Sequence, residues 1–283
     1  MTPLRFRDQI VRPIFIVSTP RSGSTLLFET LVNAPDLFST GGESHGRIER
    51  VADFHPAKRG WGSNRLIAED ATAGAVETMA ELFHTGLADR DGNPALGPVR
   101  MLEKTPKNAL RVPFFASAWP DSLFVYLYRD VRQTLASMME AWVSGRFRTY
   151  PRLPGWTGHP WSLLLVPGWR ELNGRQLPEI VARQWSITTK VLLDDLEKLS
   201  SERVAVVDHK RFLGAPQQTM EALSGALGLD WDRQLGSELP LSKVTVSAPN
   251  PDKWQQLAHL IEPIMPIVEQ ADARARAFVA RFS

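Results

Sequence analysis

The 283-residue sequence predicts an α/β fold in which helices flank a central, doubly wound parallel sheet. Short apolar runs recur along the chain, and segments with helical periodicity lie between them. The runs are continuous rather than alternating, which is typical of strands buried on both faces of a parallel sheet. No internal repeat or linker-like Ser/Gly run interrupts this order. We therefore expect one domain over residues 1–283.

Four runs have the length and composition of buried strands, and six segments have the apolar spacing of helices. Alternation of strand and helix is the pattern of a doubly wound sheet. The predicted strands are 14–18, 99–103, 123–128 and 203–208, and the predicted helices are 25–34, 64–89, 108–118, 131–143, 178–200 and 216–228.

Two segments depart from this alternation. Residues 144–177 contain Trp156, Trp161 and Trp169 among prolines and glycines, with little periodicity. Loops of this length are usually functional or mobile. Residues 249–283 are predicted to form a loop followed by a helix, because prolines restrict where a helix can start or restart there.

The composition excludes several classes of site and partner. The formal net charge of +2 is too small to predict nucleic-acid binding, and the absence of cysteine excludes disulfides and thiolate chemistry. The N-terminal stretch MTPLRFRDQIVRPIF lacks a signal-peptide core, and no run approaches the roughly 20 apolar residues that span a bilayer. We expect a cytoplasmic protein with no transmembrane segment and no nucleic-acid partner.

The stretch STPRSGST, residues 18–25, ends a strand-like run and opens a helix-like one. Such a turn presents free backbone N–H groups at the positive end of a helix dipole, which favours an anion. Glycine permits close approach of the backbone, and arginine adds a planar set of donors. The alternative is a helix start capped by a serine, with a solvated arginine. The residues predicted to hold a phosphate or sulfate group are Arg21, Ser22, Gly23, Ser24 and Thr25.

The loop matches the P-loop of nucleoside triphosphatases only in part. The pattern G-x-x-x-x-G-K-[ST] requires an early glycine and a lysine before Ser or Thr. Both are missing here. This disfavours an ATPase or GTPase and leaves a P-loop-like anion site.

A second stretch, YRDVRQTLASMMEAW, follows the predicted strand 123–128. Arg129 lies at the end of the strand, and Ser137 follows eight residues later inside the next helix. Ligands of doubly wound sheets bind outside the carboxyl ends of the strands. Two strand ends that each carry an arginine and hydroxyls suit a ligand with two separated anionic groups. Alternatively, Arg129 pairs with Asp130 or Glu140.

With these two stretches, the sequence resembles the sulfotransferases that use 3′-phosphoadenosine 5′-phosphosulfate (PAPS), over about residues 13–230. Thr19 to Thr25 match the family's loop for the 5′-phosphosulfate, and Arg129 with Ser137 matches its element for the 3′-phosphate. Arginine in the loop, where cytosolic members have lysine, looks more like the tyrosylprotein and bacterial branches. The resemblance implies a P-loop-like sheet with a largely helical insertion on the acceptor side. It also implies a PAPS donor, the product adenosine 3′,5′-bisphosphate (PAP) and no metal.

The resemblance suggests catalytic roles as well. Arg21 would stabilise the leaving phosphate, and Lys104 would contact the sulfuryl group or its bridging oxygen. Cytosolic members have a catalytic histidine after a Lys-Thr pair, but the stretch LEKTPKN has Pro106 at that position. In the tyrosylprotein-like branch the base is a glutamate further along from the first loop, which makes Glu43 the predicted general base. His45 either assists Glu43 or replaces it, because the ordinary histidine pKa of about 6.5 suits a base.

The tail segment VSAPNPDKW, residues 246–254, is predicted to close over the nucleotide. Ser247 and Lys253 would then reach phosphate oxygens, although the Arg-Lys-Gly motif of the cytosolic members is absent. No metal site is predicted, because the sequence has no HExxH pattern, no cysteine and only scattered histidines.

Residues 144–177 are candidates for contact with the acceptor, the molecule that carries the reacting hydroxyl. As a lid or wall, their tryptophans and the run Leu163–Val166 would favour an apolar small molecule, a lipid-like alcohol or a carrier-tethered chain. Alternatively, they pack the segment onto the core, or form a contact between copies of the chain in a homo-oligomer. Two other functions stay open. One is a small-molecule kinase, which would need ATP and Mg²⁺, and the other is an inactive relative that only binds the nucleotide.

Overall fold

The structure, a computed structural model, describes residues 5–51, 53–241 and 252–282. Its strands are β1 (Ile14–Val17), β2 (Leu37–Phe38), β3 (Arg100–Lys104), β4 (Leu123–Tyr128), β5 (Arg148–Tyr150), β6 (Trp161–Ser162) and β7 (Val204–Asp208). Five of them form a parallel sheet in the order β2–β3–β1–β4–β7, and β5 pairs antiparallel with β6. The parallel sheet confirms the predicted α/β class.

Helices pack on both faces of this sheet. No helix in the described ranges is long and apolar enough to cross a membrane. The α-helices found there are α1 (Ser24–Leu31), α2 (His45–Ile48), α3 (Ala73–His84), α4 (Val112–Ala118), α5 (Val131–Ser144), α6 (Leu177–Leu196), α7 (His209–Gly214), α8 (Pro216–Leu227), α9 (Ala258–Ile261) and α10 (Met265–Ala280).

Side chains alternate between two apolar cores because successive residues of a strand face opposite sides of the sheet. Phe15 and Val17 of β1 belong to the core that also contains residues of α3, α4, α6 and α10. Ile14 and Ile16 belong to the other core, with residues of α1 and α8. Burial on both faces explains why the strands are continuous apolar runs in the sequence.

The predicted boundaries of the four strands agree with the structure to within one residue at each end, whereas β2 was not predicted. With two residues, β2 is too short to show a periodicity. The prediction of a helix over 64–89 is wrong in its first part. There, α3 begins only after Thr72, whose side chain caps it, and the backbone N–H of Asn64 donates to the carbonyl of Leu165.

Residues 144–177 connect α5 to α6 with little helix. They contain the two strands β5 and β6 and one 3₁₀ turn, Trp169–Leu172. The described helix in this segment is therefore limited to that one turn. Its last residues pack on α6, because Trp161 and Trp169 lie in the same apolar cluster as Trp185.

Candidate active site

A cleft of about 800 Å³ opens at the carboxyl edge of the parallel sheet. The register brings the strand ends together there, because Ile16 pairs with Lys104 and Tyr128 pairs with Asp208. The loops after β1, β3, β4 and β7 line the cleft, and residues around β5 and β6 add a further wall. The predicted site residues that line it are Arg21, Gly23, Ser24, Thr25, Glu43, Arg129, Ser137 and Lys253.

The loop between β1 and α1 has an unusual backbone. Arg21 and Gly23 both adopt positive φ, at 67° and 92°. Positive φ is uncommon for a residue with a side chain, and it is tolerated where the surrounding structure enforces it. The loop is held internally by a 2.7 Å hydrogen bond between Thr19 Oγ1 and Ser22 Oγ. The hydroxyl of Ser22 is thus engaged within the loop, and Ser22 is 1% exposed.

Arg21 lies at the centre of the cleft. Its Nε donates to Oγ of Ser137 at 3.3 Å, and its guanidinium carbon lies 4.6 Å from the centre of the Phe147 ring. Burial lowers the pKa of Arg21. The ordinary arginine pKa is so high that the side chain nevertheless stays positively charged at neutral pH. The structure therefore brings together Arg21 and Ser137, from the two separate sequence motifs.

Arg129, at the end of β4, contacts the loop between β1 and α1. It donates from Nη1 to the carbonyl oxygen of Arg21 at 3.1 Å and from Nε to Oε1 of Gln133 at 3.2 Å. Its side chain is half-buried, and it forms no ion pair within the described part of the chain. The alternatives in which Arg129 pairs with Asp130 or Glu140 are therefore not observed.

Glu43 and Lys104 form an ion pair across the cleft wall. The Nζ atom of Lys104 donates to Oε1 of Glu43 at 2.7 Å and to Oγ1 of Thr25 at 3.0 Å. Nδ1 of His45 lies 3.6 Å from Oε2 of Glu43. The side chain of Lys104 is only 3% exposed, so its ammonium lies behind the two cleft residues that it contacts.

The pKa of Glu43 reflects these neighbours. Burial alone would raise the pKa of its carboxyl, but the neighbouring ring of His45 and the positive charge of Lys104 outweigh burial and lower the pKa to about 2. The carboxyl is therefore ionised at neutral pH, as a proton acceptor has to be. Its low pKa makes it a weak base for as long as His45 and Lys104 stay beside it.

Thr105 fixes the loop that carries Glu43. Oγ1 of Thr105 accepts a hydrogen bond from the backbone N–H of Ser44 at 2.8 Å and donates to Oε1 of Glu103 at 2.6 Å. Glu103 is 2% exposed, and burial raises its pKa. This chain of hydrogen bonds ties the Glu43 loop to the end of β3, where the sequence has Pro106 in place of a histidine.

Of the two tail residues that were predicted to contact the nucleotide, the structure describes one. Lys253 lines the cleft and donates from Nζ to Oε1 of Glu140 on α5 at 2.6 Å. Ser247 lies outside the described residues. A phosphate contact by Lys253 would therefore compete with its ion pair to Glu140.

The three tryptophans of the segment 144–177 do not line the cleft. Trp161 and Trp169 are fully buried, and their rings lie 5.8 Å apart at an angle of 65°. The packing interpretation therefore holds for them. Leu163 and Leu164 do line the cleft, so the apolar contribution of this segment comes from its leucines.

His209 is a cleft residue that the sequence analysis missed. It follows β7 directly, and its ring packs so closely on Gly23 that a Cβ there would lie 2.5 Å from its Cδ2. Burial and the positive charge of Arg129 lower the pKa of His209 to about 4, so its ring is neutral at neutral pH. The rule that ligands bind at the carboxyl ends of strands would have identified it, because it directly follows the predicted strand 203–208.

Comparison with known proteins places this geometry in a family. The model of the sulfotransferase family matches residues 13–233, which is well over half of the chain. A curated Caenorhabditis briggsae protein named "Putative protein-tyrosine sulfotransferase" is 30% identical over 127 residues. The match covers 45% of this chain and 42% of that protein, so the chain spans less than half the length of this relative.

Two solved structures share the fold. Sulfotransferase STF1 from Mycobacterium tuberculosis H37Rv aligns with a TM-score of 0.50 at 17% identity, over 92% of this chain and 76% of that chain. The sulfotransferase domain from the Synechococcus PCC 7002 olefin synthase aligns with a TM-score of 0.50 at 17% identity, over 91% and 93% of the two chains. At this identity the likeness concerns the fold alone. Because the family model spans the sheet and both arginine motifs, the chain belongs to the sulfotransferase family.

Proposed function

We propose that the protein transfers a sulfuryl group from PAPS to a hydroxyl of an acceptor, by metal-independent in-line transfer. The observation that carries the donor assignment is Arg129. It is a half-buried cation at the end of β4, next to the anion loop, with no carboxylate partner among the described residues. A buried charge is costly unless it is paired, which favours an anionic ligand at this position.

Two anionic groups suit the cleft. The backbone N–H groups at the start of α1, together with Arg21, Ser24 and Thr25, would hold the phosphosulfate end of the donor. Arg129 would hold the 3′-phosphate, with Ser137 and Lys253 as further donors.

Arg21 is suited to stabilise the leaving phosphate. It carries a permanent charge, and its guanidinium is oriented by Ser137 and by the ring of Phe147. Preorganised charges of this kind cost no reorganisation when negative charge develops. Arginine and lysine side chains thus supply the charge stabilisation that magnesium provides in many phosphoryl transferases.

Glu43 is proposed as the general base. It would accept the proton of the acceptor hydroxyl as the new S–O bond forms and the S–O bond to the leaving phosphate breaks. Lys104 would contact the sulfuryl oxygens or the bridging oxygen from its position beside Thr25. His45, 3.6 Å from Glu43, would orient the carboxylate.

Part of the cleft lining is apolar, and we assign this part to the acceptor. It includes Phe147, Leu163 and Leu164, together with Trp254 of the tail. An apolar body is therefore favoured for the acceptor, as in a lipid-like alcohol, a carrier-tethered chain or an apolar small molecule.

Calorimetric titration with PAP, ATP and AMP, each with and without Mg²⁺, tests the donor assignment. We expect PAP to bind most tightly and independently of Mg²⁺. The Arg129→Ala variant should bind PAP about 10–100-fold more weakly, since charge-assisted hydrogen bonds contribute about 1.5–3 kcal/mol. Arg132→Ala is the matched control, because Arg132 lies three residues further along the chain, on α5, but pairs with Glu262 and does not line the cleft.

The same titration separates the alternatives. Tighter, Mg²⁺-dependent binding of ATP would favour a small-molecule kinase. Tight PAP binding without sulfuryl transfer from labelled PAPS to any alcohol in a broad panel would favour an inactive relative. Equal PAP affinity of the wild type and Arg129→Ala would contradict the assignment of Arg129.

A further inference from the structure

Two arginines of the cleft have no role in the proposed reaction. The part of the cleft formed by residues 146–149, Leu163 and Leu164 of the β5–β6 hairpin is called the hairpin wall here. Arg146 and Arg148 lie at its start, and both are exposed. Within the described ranges, neither guanidinium has a hydrogen bond or an ion pair to another residue. The side chain of Arg148 folds over Gly145, since a Cβ at that glycine would lie 2.7 Å from its Nη2.

These two arginines lie near Arg21, which is proposed to stabilise the leaving phosphate. Phe147, which lies between them, contacts the guanidinium of Arg21 at 4.6 Å. The pKa of Arg21 is lowered first by burial and also by the positive charge of Arg146, which indicates that the two cations influence each other. An acceptor that packs on Phe147 would therefore lie near Arg146 and Arg148, which precede and follow it in the chain and line the same cleft.

The acidic residues of the cleft do not neutralise this charge. Glu43 is paired with Lys104, and Glu140 is paired with Lys253. The exposed Glu238 also lines the cleft but forms no ion pair with any described residue. The positive charge of the hairpin wall is therefore available to a ligand.

The donor does not need this charge either. In the proposed function its anionic groups are held by the loop before α1, by Arg21 and by Arg129. Arg148 pairs with Ser162 across the β5–β6 hairpin, and the backbone N–H of Leu163 donates to the carbonyl of Phe147, so both arginines lie in the same hairpin as the apolar cleft residues Leu163 and Leu164. The wall thus combines an apolar surface with two cations.

We propose that the acceptor is an amphipathic alcohol whose apolar body packs on Phe147, Leu163 and Leu164, and whose anionic group, a carboxylate or a phosphate, pairs with Arg146 and Arg148. This inference rests on the proposed function, because it assigns these residues to the acceptor side of the same site. A planar guanidinium suits both carboxylate and phosphate oxygens. The two chemistries are therefore distinguished by experiment.

Binding to the enzyme saturated with PAP tests the inference without turnover. Octanoate, octyl phosphate, 1-octanol and octylamine share one apolar chain and differ in the charged end, and each is titrated calorimetrically. We expect octanoate or octyl phosphate to bind about tenfold more tightly than 1-octanol, with octylamine weakest, because partly exposed charge pairs contribute modestly. The preference should shrink as salt rises from 50 to about 500 mM, because salt screens exposed charges.

The variant Arg146→Gln/Arg148→Gln should bind octanoate, octyl phosphate and 1-octanol equally. Arg152→Gln is the matched control, because it removes the same charge from an exposed position of the same segment outside the cleft. It should keep the full preference. PAP affinity should be unchanged in all of these variants, which shows that the donor site is intact.

Three outcomes would overturn the inference while leaving the proposed function in place. They are equal binding of the charged and neutral ligands to the wild type, no binding of either anion at millimolar concentration, and a preference that survives the double substitution. The relative affinities of octanoate and octyl phosphate decide between carboxylate and phosphate. Failure of PAP itself to bind would refute the proposed function and this inference together.

Discussion

Nζ of Lys104 lies 2.7 Å from Oε1 of Glu43, so the two residues proposed to act on the transferred group are paired with each other. Together, the neighbouring His45 and this ion pair lower the pKa of the Glu43 carboxyl to about 2, against the effect of burial. Donor oxygens near Thr25 would offer the ammonium of Lys104 a second set of partners. Weaker pairing would raise the pKa of Glu43 and make it a stronger base.

The variant Glu43→Gln should lose about 10²–10⁴ in kcat, because it removes a positioned proton acceptor. PAP affinity should change little, since Glu43 carries a negative charge and contributes no hydrogen bond to a phosphate. The measurements are kcat with labelled PAPS and calorimetric titration of PAP.

Two controls accompany this prediction. Glu238→Gln makes the same change at an exposed carboxyl of the cleft rim, and it should keep kcat near the wild-type value. His45→Ala should cost less than Glu43→Gln, because His45 contacts the base and is not the base itself. The opposite ranking of the two variants would make His45 the general base.

Thr105→Val should impair both stability and turnover. The substitution keeps the shape of the side chain but removes the oxygen that accepts from the N–H of Ser44 and donates to Glu103. We expect the free energy of unfolding to fall by about 1–3 kcal/mol, since buried polar groups are left without partners. We also expect kcat to fall, with PAP affinity unchanged, because the loop that carries Glu43 loses its anchor.

Thr105→Ser is the matched control for this network, because it retains the hydroxyl group. It should recover most of the lost kcat. A Thr105→Val enzyme with the kcat of the wild type would show that the position of Glu43 does not depend on Thr105.

The position of Arg21 and Arg129 could be predicted from the sequence for a physical reason. Each arginine follows a continuous apolar run, and in a parallel sheet the carboxyl ends of such strands lie at one edge. The structure brings both arginines to that edge, and Arg129 bonds to the carbonyl of Arg21. Lys104 follows the same rule, because it ends β3.

Contacts between side chains that are distant in sequence were not predictable in this way. The ring of Phe147 lies on Arg21 because the hairpin folds back over the cleft, and no local pattern encodes that return. The same holds for Trp161 and Trp169, whose burial against α6 depends on the path of the whole segment 144–177. Periodicity reports on regular elements, and this segment contains few of them.

The variant Gly23→Ala should destabilise the protein and abolish tight donor binding. Gly23 has φ of +92°, and a Cβ at this position would lie 2.5 Å from the His209 ring. The conformation alone costs about 1–2 kcal/mol for a residue with a side chain, and the overlap adds to it by displacing His209 or the loop. Thermal denaturation and PAP titration measure the two effects.

The variant Gly92→Ala separates the cost of the backbone conformation from the cost of the steric overlap. Gly92 has a similar φ of +85°, but a Cβ there would meet no atom within 4 Å. It should show only the conformational cost, with wild-type PAP affinity. If Gly23→Ala behaved like Gly92→Ala in both measurements, the contact with His209 would have no influence on the loop.

The pKa of His209 predicts how stability depends on pH. In the folded protein its pKa is about 4, below the ordinary histidine value of 6.5, because the ring is buried near Arg129. Between these two pH values the unfolded chain binds the proton more readily than the folded chain does. The contribution of His209 to stability is therefore complete above pH 6.5 and is lost as the pH falls towards 4.

Replacement by glutamine removes this dependence. On lowering the pH from 7 to 5, the wild type should lose up to about 2 kcal/mol more unfolding free energy than His209→Gln does. His259→Gln, at an exposed histidine of α9, should lose as much as the wild type. Urea denaturation at the two pH values measures all three proteins. Parallel losses in the wild type and His209→Gln would mean that the His209 ring can be protonated in the folded protein without penalty, and hence that Arg129 does not hold it neutral.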